Sequence, residues 1–186
     1  MKVFIAGPRA IRTLNDTVQE RLNNIIKQEI TVLVGDANGI DKMIQEHFSN
    51  ANYKAVTVYA SNGVARNNIG KWEVQNVPVN DNTKGFAFYA EKDKAMADNA
   101  DYGFMIWNGK SKGTLNNIIN LTKQSKIVLV YFTPHKKFYH IKSWEMAKNL
   151  ATCCGEETRL LFDSLAGKSH TRPVEAAEQI SLFQIT

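Results

Sequence analysis

Short apolar runs alternate along the chain with longer stretches in which apolar residues recur every three or four positions. The short runs are continuous in apolar character, which is typical of strands buried on both faces of a parallel sheet. They span residues 3–6, 31–34, 55–59, 101–107 and 127–132. Because right-handed crossovers leave few other arrangements for alternating strands and helices, the pattern predicts an α/β fold with a five-stranded parallel sheet and helices on both faces.

The stretches between these strands have the apolar spacing of helices that bury one face. Predicted helices follow the N-cap candidates Asn15 and Asp16, run from Ile40 to Phe48, cover residues 88–99, and follow Gly113 and Thr114. Residues 61–85, in contrast, are polar, rich in asparagine and without a clear period. A connection of that length is usually a functional lid or an excursion, so we expect it to cover a ligand cleft.

Beyond Pro134 the alternation ends, which suggests a division of the chain. Residues 1–134 are predicted to form the ligand-binding domain, and residues 135–186 a mostly helical extension that packs on this domain or on a partner subunit. Within the extension, residues 141–150 are predicted to pass from strand into helix, residues 156–165 to be helical, and a further helix to run from Pro173 toward Phe183.

Composition narrows the class of protein without identifying it. The 186 residues are 44% hydrophobic, which is ordinary for a globular chain with a core. No run reaches membrane-spanning length, and the apolar run before Gly7 is too short for a signal peptide, so we expect a cytoplasmic protein without a membrane partner. The adjacent Cys153 and Cys154 are interpreted as reduced side chains. A formal net charge of +5 favours anionic ligands, although nucleic acid is not the preferred one.

Two glycine-containing segments carry the strongest functional signal. Residues 34–41 (VGDANGID) and 107–114 (WNGKSKGT) each follow an apolar run and each lead into a predicted helix. Glycines at the end of a parallel strand let the backbone turn tightly, and the free N–H groups of the next helix then point at whatever lies above the sheet. We therefore expect a nucleotide-like molecule between the two segments. The expected contacts are Gly35, Asp36, Gly39, Asp41, Asn108, Gly109, Ser111, Gly113 and Thr114.

Some of these residues have two interpretations. Ser111 and Thr114 are suited to donate hydroxyl hydrogen bonds to a phosphate, and Thr114 is also suited to cap the helix; the two roles are compatible. Asp41 is interpreted first as a helix cap. Asp36, at the strand end, is the better candidate for a contact with a ribose hydroxyl.

The first predicted strand ends at the loop formed by Gly7, Pro8 and Arg9. This loop faces the second glycine segment if the first and fourth strands are neighbours. Ligands of open parallel sheets bind beyond the strand ends, at the point where strand order reverses. Arg9 either clamps a phosphate or lies in solvent. Trp107 either stacks on a base or lies in the core. Arg66 and Trp72 have no evident core role in so polar a segment, which indicates a contact with a ligand or partner.

Three motifs together resemble the SLOG superfamily of Rossmann-like nucleotide-binding proteins: the FIAGPR opening, the VGDANGID turn and the DYGFMIWNGKSKGT segment. The superfamily includes the DNA-processing protein DprA, the LOG phosphoribohydrolases and the YspA-like proteins, and the YspA-like branch is the most similar. The resemblance covers about residues 1–134. It implies a nucleotide pocket lined by Gly35, Gly39, Asp41, Gly109, Ser111, Gly113 and Thr114. The opening is also similar to that of nucleoside 2-deoxyribosyltransferases, which cleave N-glycosidic bonds.

The chain departs from this resemblance where glycosidic cleavage needs an acid. LOG-type enzymes carry a glutamate shortly after the Gly-Thr of the second loop, whereas this chain has the sequence Leu115, Asn116, Asn117 and Ile118. An amide cannot act as nucleophile or general base, so Asn117 is left to bond a ribose hydroxyl. Whether the protein is an enzyme is therefore open. The carboxylates considered for catalysis are Asp36, Asp93 and Glu91.

No metal or cofactor is predicted. The histidines are scattered, without a carboxylate or cysteine at metal-ligand spacing, at positions His47, His135, His140 and His170. The turn after the first strand also lacks the second and third glycines of the dinucleotide fingerprint.

The sequence thus predicts a Rossmann-like domain that binds a nucleotide or a nucleotide-derived small molecule at the carboxyl edge of its sheet, as a sensor or carrier. One alternative is an N-glycosidase, a phosphoribohydrolase or a deoxyribosyltransferase-like enzyme that acts on nucleotides. A second alternative is single-stranded nucleic-acid binding of the DprA kind. A homo-oligomer is left open, because the apolar positions of the extension are suited to pairing two chains.

Overall fold

The computed structural model describes residues 1–167 of the chain. Its strands are β1 (Lys2–Ala6), β2 (Thr31–Gly35), β3 (Val56–Ser61), β4 (Glu73–Val77), β5 (Tyr102–Trp107), β6 (Val128–Phe132) and β7 (Lys137–Ile141). Its helices are α1 (Asp16–Lys27), α2 (Ile40–Asn50), α3 (Gly85–Asn99), α4 (Lys112–Lys123), α5 (Trp144–Cys153) and α6 (Glu156–Ala166). The helix predicted from Pro173 lies outside the described residues.

The strands form one open sheet in the order β4-β3-β2-β1-β5-β6-β7. Neighbouring strands are parallel, except that β7 runs antiparallel to β6. β1 pairs with both β2 and β5, so the first and fourth predicted strands are neighbours. Strand order reverses at β1, and such a reversal opens a crevice beyond the carboxyl ends of parallel strands.

Helices cover both faces of the sheet, as the apolar spacing predicts. On one face, Leu22 of α1 and Ile44 of α2 are buried with Ile5 of β1. On the other face, Met96 of α3 and Ile118 of α4 are buried with further side chains from α5 and α6. Burial of apolar surface on both faces stabilises the fold and holds the loops at the carboxyl edge. None of the helices within residues 1–167 is both long and apolar enough to cross a bilayer.

The prediction of five strands is wrong, because the described chain adds one strand at each edge of the sheet. β4 lies inside the predicted loop of residues 61–85 and pairs with β3, for example Val58 with Val74. Its side chains are exposed or half-buried. An edge strand has little core to contact, so its sequence lacks the apolar run from which strands were inferred.

The chain after Pro134 also differs from expectation. β7 begins before the predicted strand and pairs with β6, and α5 begins at Trp144, within the residues 141–150 that were predicted to pass from strand into helix. Exposed and half-buried residues dominate β7, again as at a sheet edge. Leu150 of α5 and Phe162 of α6 are buried in the same cluster as Ile118 of α4. These two helices thus extend the core on the α4 face of the sheet.

Gly39 brings the loop after β2 against the loop after β1. Its φ angle is +83°, a region that side-chain-bearing residues rarely adopt. A Cβ atom at Gly39 would lie 2.5 Å from the Cα of Arg9 and 2.6 Å from the Arg9 carbonyl oxygen. The N–H of Ile40 also donates to the carbonyl of Pro8 at 3.4 Å. The two loops are therefore in direct backbone contact at the carboxyl edge.

Gly39→Ala is expected to lower the free energy of unfolding by about 3 kcal/mol, because the new methyl group meets rigid backbone as well as an unfavourable φ. Gly85 is a matched control: its φ is +62°, but a Cβ there meets no atom within 4 Å. Gly85→Ala is expected to lower the same quantity by only about 1 kcal/mol. Urea unfolding of both variants measures the difference, and equal losses would contradict the proposed backbone contact.

Candidate functional site

A cleft of about 570 Å³ opens at the carboxyl edge of the sheet. Its walls are the loop after β1, the inward face of α3, and the loop before α4 with the first turns of that helix. The region after β2 adds Ala37 and Asp41. Because these segments follow strand ends near the reversal of strand order, the topology of the sheet brings them together.

The second glycine segment forms the N-terminus of α4 at this cleft. Asn108 Oδ1 accepts hydrogen bonds from the N–H groups of Lys110 at 3.1 Å and Ser111 at 2.9 Å, which closes the turn. Ser111 is the N-cap, and its Oγ accepts from the N–H and hydroxyl of Thr114 at 3.4 and 3.0 Å. The first N–H groups of a helix have no acceptor within it, so that of Gly113 points outward. With no acidic residue in the first turn, this helix end attracts an anion.

Two exposed basic side chains line the same cleft. Arg9, from the loop after β1, and Lys110, from the loop before α4, are both exposed. The Arg9 guanidinium lies 4.8 Å from the ring centroid of Tyr89, and the Arg66 guanidinium lies 4.9 Å from the same ring. These cation–π contacts connect both arginines to α3. The cleft therefore combines an open helix end, two cations and an aromatic ring.

Asp36 contacts the segment after β3, not the cleft. The residue is 3% exposed, and it accepts hydrogen bonds from the backbone N–H, Nε and Nη2 of Arg66 at 3.1, 2.9 and 2.7 Å. Burial alone would raise the pKa of Asp36, but the bonds from Arg66 and the charge of Lys92 outweigh burial and hold that pKa below its ordinary value. The Asp36–Arg66 pair thus positions the chain that enters β4.

Gln45 of α2 holds the same segment. Its fully buried amide donates to the carbonyls of Gly35 at 2.9 Å and Asn67 at 3.1 Å, and its Oε1 accepts from the N–H of Ile69 at 3.0 Å. The prediction of a lid over the cleft is therefore wrong for the part before β4. Buried polar side chains fix that part to α2 and to the end of β2. Trp72 of the same segment is buried in the core, so the prediction that it lacks a core role is wrong.

Lys92 of α3 is buried among three carboxyl groups. Its Nζ lies 2.7 Å from Asp93 Oδ1 and 4.0 Å from Asp36 Oδ1, and Asp41 attracts it as well. Burial alone would lower the pKa of Lys92, but these charges outweigh burial and raise it. A Cβ atom at Gly35 would lie 2.4 Å from Asp41 Oδ2 and 2.9 Å from Lys92 Nζ. The glycine therefore leaves room for the charge cluster.

Asp41 belongs to this cluster and, like Asp93, lines the cleft. Burial raises the pKa of Asp41 to about 6, and the charge of Lys92 opposes the shift. The carboxylates of Asp93 and Asp36 add to the increase, because like charges disfavour ionisation. Asp41 Oδ2 also accepts the N–H of Ala37 at 3.3 Å, a local contact with the loop that precedes α2.

Asn117 lies one turn farther along α4 than Thr114 and also lines the cleft. The residue is 2% exposed, and its Oδ1 has no hydrogen-bond partner among the described residues. Buried polar atoms in folded proteins almost always have a partner. This unpaired acceptor is therefore unusual for a buried side chain.

The cleft brings together only part of the predicted set. The predicted residues that line it are Gly7, Pro8, Arg9, Asp41, Asp93, Asn108, Ser111, Gly113, Thr114 and Asn117. The predicted residues that do not line it are Gly35, Asp36, Gly39, Arg66, Glu91, Trp107 and Gly109. Within residues 1–167, no group of three His, Cys, Asp or Glu side chains is arranged to hold a metal ion.

Trp107 lies in the core, which is the second of the two roles predicted for it. Its side chain is fully buried, and its ring lies 5.8 Å from that of Phe132. The indole Nε1–H donates to the carbonyl of Ser111 at 3.3 Å, so the tryptophan supports the loop before α4 from the core. A ring in this position cannot stack on a base in the cleft.

Among the lining residues that were not predicted, the charged and aromatic ones are Phe86, Tyr89, Lys92 and Lys110. Lys110 lies within the second glycine segment, so the segment itself was a signal for it. The other three lie on α3, whose first turn begins at Gly85, three residues earlier than predicted. The apolar residues of α3 recur with little helical periodicity. The sequence therefore did not indicate which residues of this helix face the cleft.

No family model matches the chain, and no curated protein matches it. Among solved structures, the chain is similar to DNA processing protein A from Helicobacter pylori, described for its unique single-stranded DNA binding mode. The TM-score is 0.54 at 16% sequence identity, over 70% of this chain and 64% of that chain, which is less than two thirds of its length. At this identity the likeness concerns the fold alone. It agrees with the DprA-like, Rossmann-like fold that the loop motifs imply, while membership of the YspA-like branch stays a prediction.

Because the pKa of Asp41 is raised in the folded protein, its contribution to the free energy of unfolding is expected to fall as pH rises from about 4 to 6. Over this window the unfolded chain has released the Asp41 proton, near pH 3.9, while the folded protein still holds it. The pKa of Asp36 is lowered in the folded protein, so Asp36 contributes to stability throughout this window. That contribution is lost only below the window, as falling pH protonates the carboxyl group. The free energy of unfolding of the wild-type protein is expected to fall by about 2 kcal/mol across the window because of Asp41. Asparagine does not titrate, so Asp41→Asn is expected to lack this decrease. Urea midpoints at several pH values measure both profiles, and parallel profiles would rule out this role for Asp41.

Proposed function

We propose that this protein binds a nucleotide or a nucleotide-derived small molecule in the cleft, as a sensor or carrier, with the anionic group of the ligand at the N-terminus of α4. The observation that carries the proposal is the meeting of that open helix end with Arg9 and Lys110 in one cleft. A helix N-terminus and nearby cations attract phosphate through outward N–H groups and through charge.

The aromatic side chains of the cleft support a ligand with a planar base. Tyr89 is half-buried on α3, and Phe86 is 38% exposed in the first turn of that helix. Aromatic rings at the edge of a ligand cleft offer a surface on which a base can stack. A nucleotide would thus meet cations and helix amides at its phosphate and aromatic carbon at its base.

Enzymatic turnover remains the alternative. The carboxyl groups that line the cleft are Asp41 and Asp93, whereas Asp36 is held by Arg66 and Glu91 lies outside the cleft. An N-glycosidase of this chain would therefore depend on Asp41 or Asp93. Release of free base from a panel of nucleoside monophosphates would favour the enzyme over the sensor or carrier.

Single-stranded nucleic-acid binding is a second candidate, which the DprA-like fold and the name of that structural neighbour support. Lys112 Nζ lies 4.3 Å from the ring centroid of the exposed Phe86 at the cleft rim. Exposed aromatics combined with cations are typical of surfaces that hold single strands. Lys136 and Lys137 follow β6 at the same carboxyl edge, so a strand could run from the cleft toward them.

AMP at about ten times its dissociation constant is expected to stabilise the protein by about 1.4 kcal/mol, a rise in Tm of roughly 3–6 °C. The double variant Arg9→Gln/Lys110→Gln is expected to lose this rise, because it removes the two exposed cations of the cleft. Lys27→Gln/Lys54→Gln removes the same charge from exposed positions away from the cleft and serves as the control. Thermal unfolding with and without AMP measures the effect. Equal rises in all three proteins would overturn the location of the site.

Retardation of a thymidine oligonucleotide tests the second candidate. If a single strand follows the carboxyl edge, Lys136→Gln/Lys137→Gln weakens binding and lowers the slope of log K against log salt by about 0.7 per lost phosphate contact. Lys142→Gln is the control, because Lys142 follows β7 at the opposite edge of the sheet. Loss of binding in the control as well would argue for a diffuse attraction to the +5 charge rather than a track.

A further inference from the structure

The charge cluster beside the cleft holds more carboxyl groups than cations. Its three carboxyl groups belong to Asp36, Asp41 and Asp93. Its two positive charges belong to Lys92 and Arg66. When all three carboxyl groups are ionised, the cluster therefore has one negative charge in excess. Such a charge is unfavourable in a protein interior, so the cluster is expected to take up a proton more readily than a carboxylate in water does.

The hydrogen bonds identify Asp41 as the carboxyl group that is left without a bonded cation. Asp36 is paired with Arg66 through side-chain bonds of 2.9 and 2.7 Å. Asp93 accepts from the buried ammonium group at 2.7 Å. Among the described residues, Asp41 accepts only the backbone N–H of Ala37, at the longer distance of 3.3 Å. The excess proton therefore belongs on Asp41, which agrees with the pKa of about 6 to which burial raises this carboxyl group.

Asp41 also lines the cleft that is suited to an anion. It lies in the first turn of α2 and contributes to the cleft together with Asp93. The same cleft holds the N-terminus of α4 and the exposed cations Arg9 and Lys110. An anion attracted to that helix end is therefore bound in the cleft to which Asp41 contributes its charge.

We infer that the cleft binds its anion together with a proton on Asp41, so that the affinity of the site for an anionic ligand falls as pH rises. This inference rests on the proposed function and adds a regulation of the same site. It requires no direct contact between the ligand and Asp41, because charges interact over several ångströms.

The direction of the effect follows from the charge of Asp41. At low pH Asp41 is neutral, the charges of the cluster balance, and an anion in the cleft meets no excess negative charge. As pH rises through about 6, Asp41 ionises in the free protein and repels the anion. Coupling is reciprocal, so a bound anion raises the pKa of Asp41 in turn. Between the pKa values of the free and bound protein, binding takes up a proton from solvent.

The other charged groups that face Asp41 come from three parts of the fold. Asp36 belongs to the end of β2, Arg66 to the connection between β3 and β4, and Lys92 and Asp93 to α3. The pKa of Asp36 is held below its ordinary value, and the pKa values of Lys92 and Arg66 are held above theirs. These three groups therefore keep their charges at neutral and mildly acidic pH. The residues that line the cleft include no histidine, the side chain that would ordinarily titrate there.

Sulfate is the probe for the test, because it has the tetrahedral shape of phosphate and remains a dianion over the pH range used. Its affinity for the full chain is measured by calorimetric titration at constant ionic strength, from about pH 5 to about pH 8. The wild-type protein is expected to lose about tenfold in affinity over this range, the effect of roughly one repelling charge. Near pH 6.5, titrations in two buffers with different ionisation enthalpies are expected to show the uptake of about half a proton.

Asp41→Asn keeps the shape of the carboxyl group but cannot ionise. The variant is expected to match the wild-type affinity at about pH 5 and to bind sulfate about tenfold more tightly than wild type at about pH 8, without proton uptake. Asp98→Asn makes the same change at an exposed position of α3 that does not line the cleft, and it is expected to keep the wild-type pH dependence. The proton uptake of the wild-type protein is measured without any variant, so it tests the inference even if a variant is unstable.

The outcomes separate the inference from the proposed function. If sulfate binds without proton uptake, or if Asp41→Asn keeps the wild-type pH dependence, the inference is wrong and the anion site stands. If AMP binds but sulfate does not, the inference is wrong as well, because the anion alone is then not held in the cleft. If neither sulfate nor AMP binds, the proposed function fails and the inference fails with it.

Discussion

The buried ammonium group of Lys92 is the interaction on which the architecture of the site depends. An isolated charge in a protein interior is strongly unfavourable, so Lys92 requires the carboxyl groups that surround it. Those groups come from three places: Asp36 at the end of β2, Asp41 in the first turn of α2, and Asp93 on α3 itself. Lys92 therefore joins α3 to the β2–α2 connection, and with it fixes one wall of the cleft.

The same cluster gives the cleft its division of charge. Three carboxyl groups surround Lys92, and Asp36 is also paired with Arg66, which leaves Asp41 and Asp93 to face the cleft. The opposite wall, at the start of α4, has no acidic residue in its first turn. If the protein binds the anionic ligand that we propose, this distribution orients it, because the anionic end is attracted to α4 and repelled by the carboxyl groups of Asp41 and Asp93.

Sequence reasoning predicted the parts of this structure that are encoded locally. The central strands are apolar runs because both of their faces are buried. The loop before α4 is recognisable because its glycines and the N-cap residue of the helix lie close together in the sequence. β4 and β7 were missed because edge strands have little core to contact. The pairing of Asp36 with Arg66, thirty residues later, and the stacking of Tyr89 with Arg9 depend on tertiary contacts. No local pattern could separate a ligand-binding Asp36 from one that positions a loop.

The Tyr89 ring contacts two arginines, one of which is held in place by Asp36 and the other of which is exposed. Arg66 lies 4.9 Å from the ring centroid and is held by three hydrogen bonds to Asp36, so its position is determined by the fold. Arg9 lies 4.8 Å from the same ring and is exposed, on a loop that packs against Gly39. A cation–π contact at an exposed site is weak, about 0.5–1 kcal/mol, and a phosphate offers an arginine a stronger charged hydrogen bond. An anion in the cleft would therefore draw Arg9 away from Tyr89 at little energetic cost, while Arg66 stays in place and keeps the ring oriented toward the ligand.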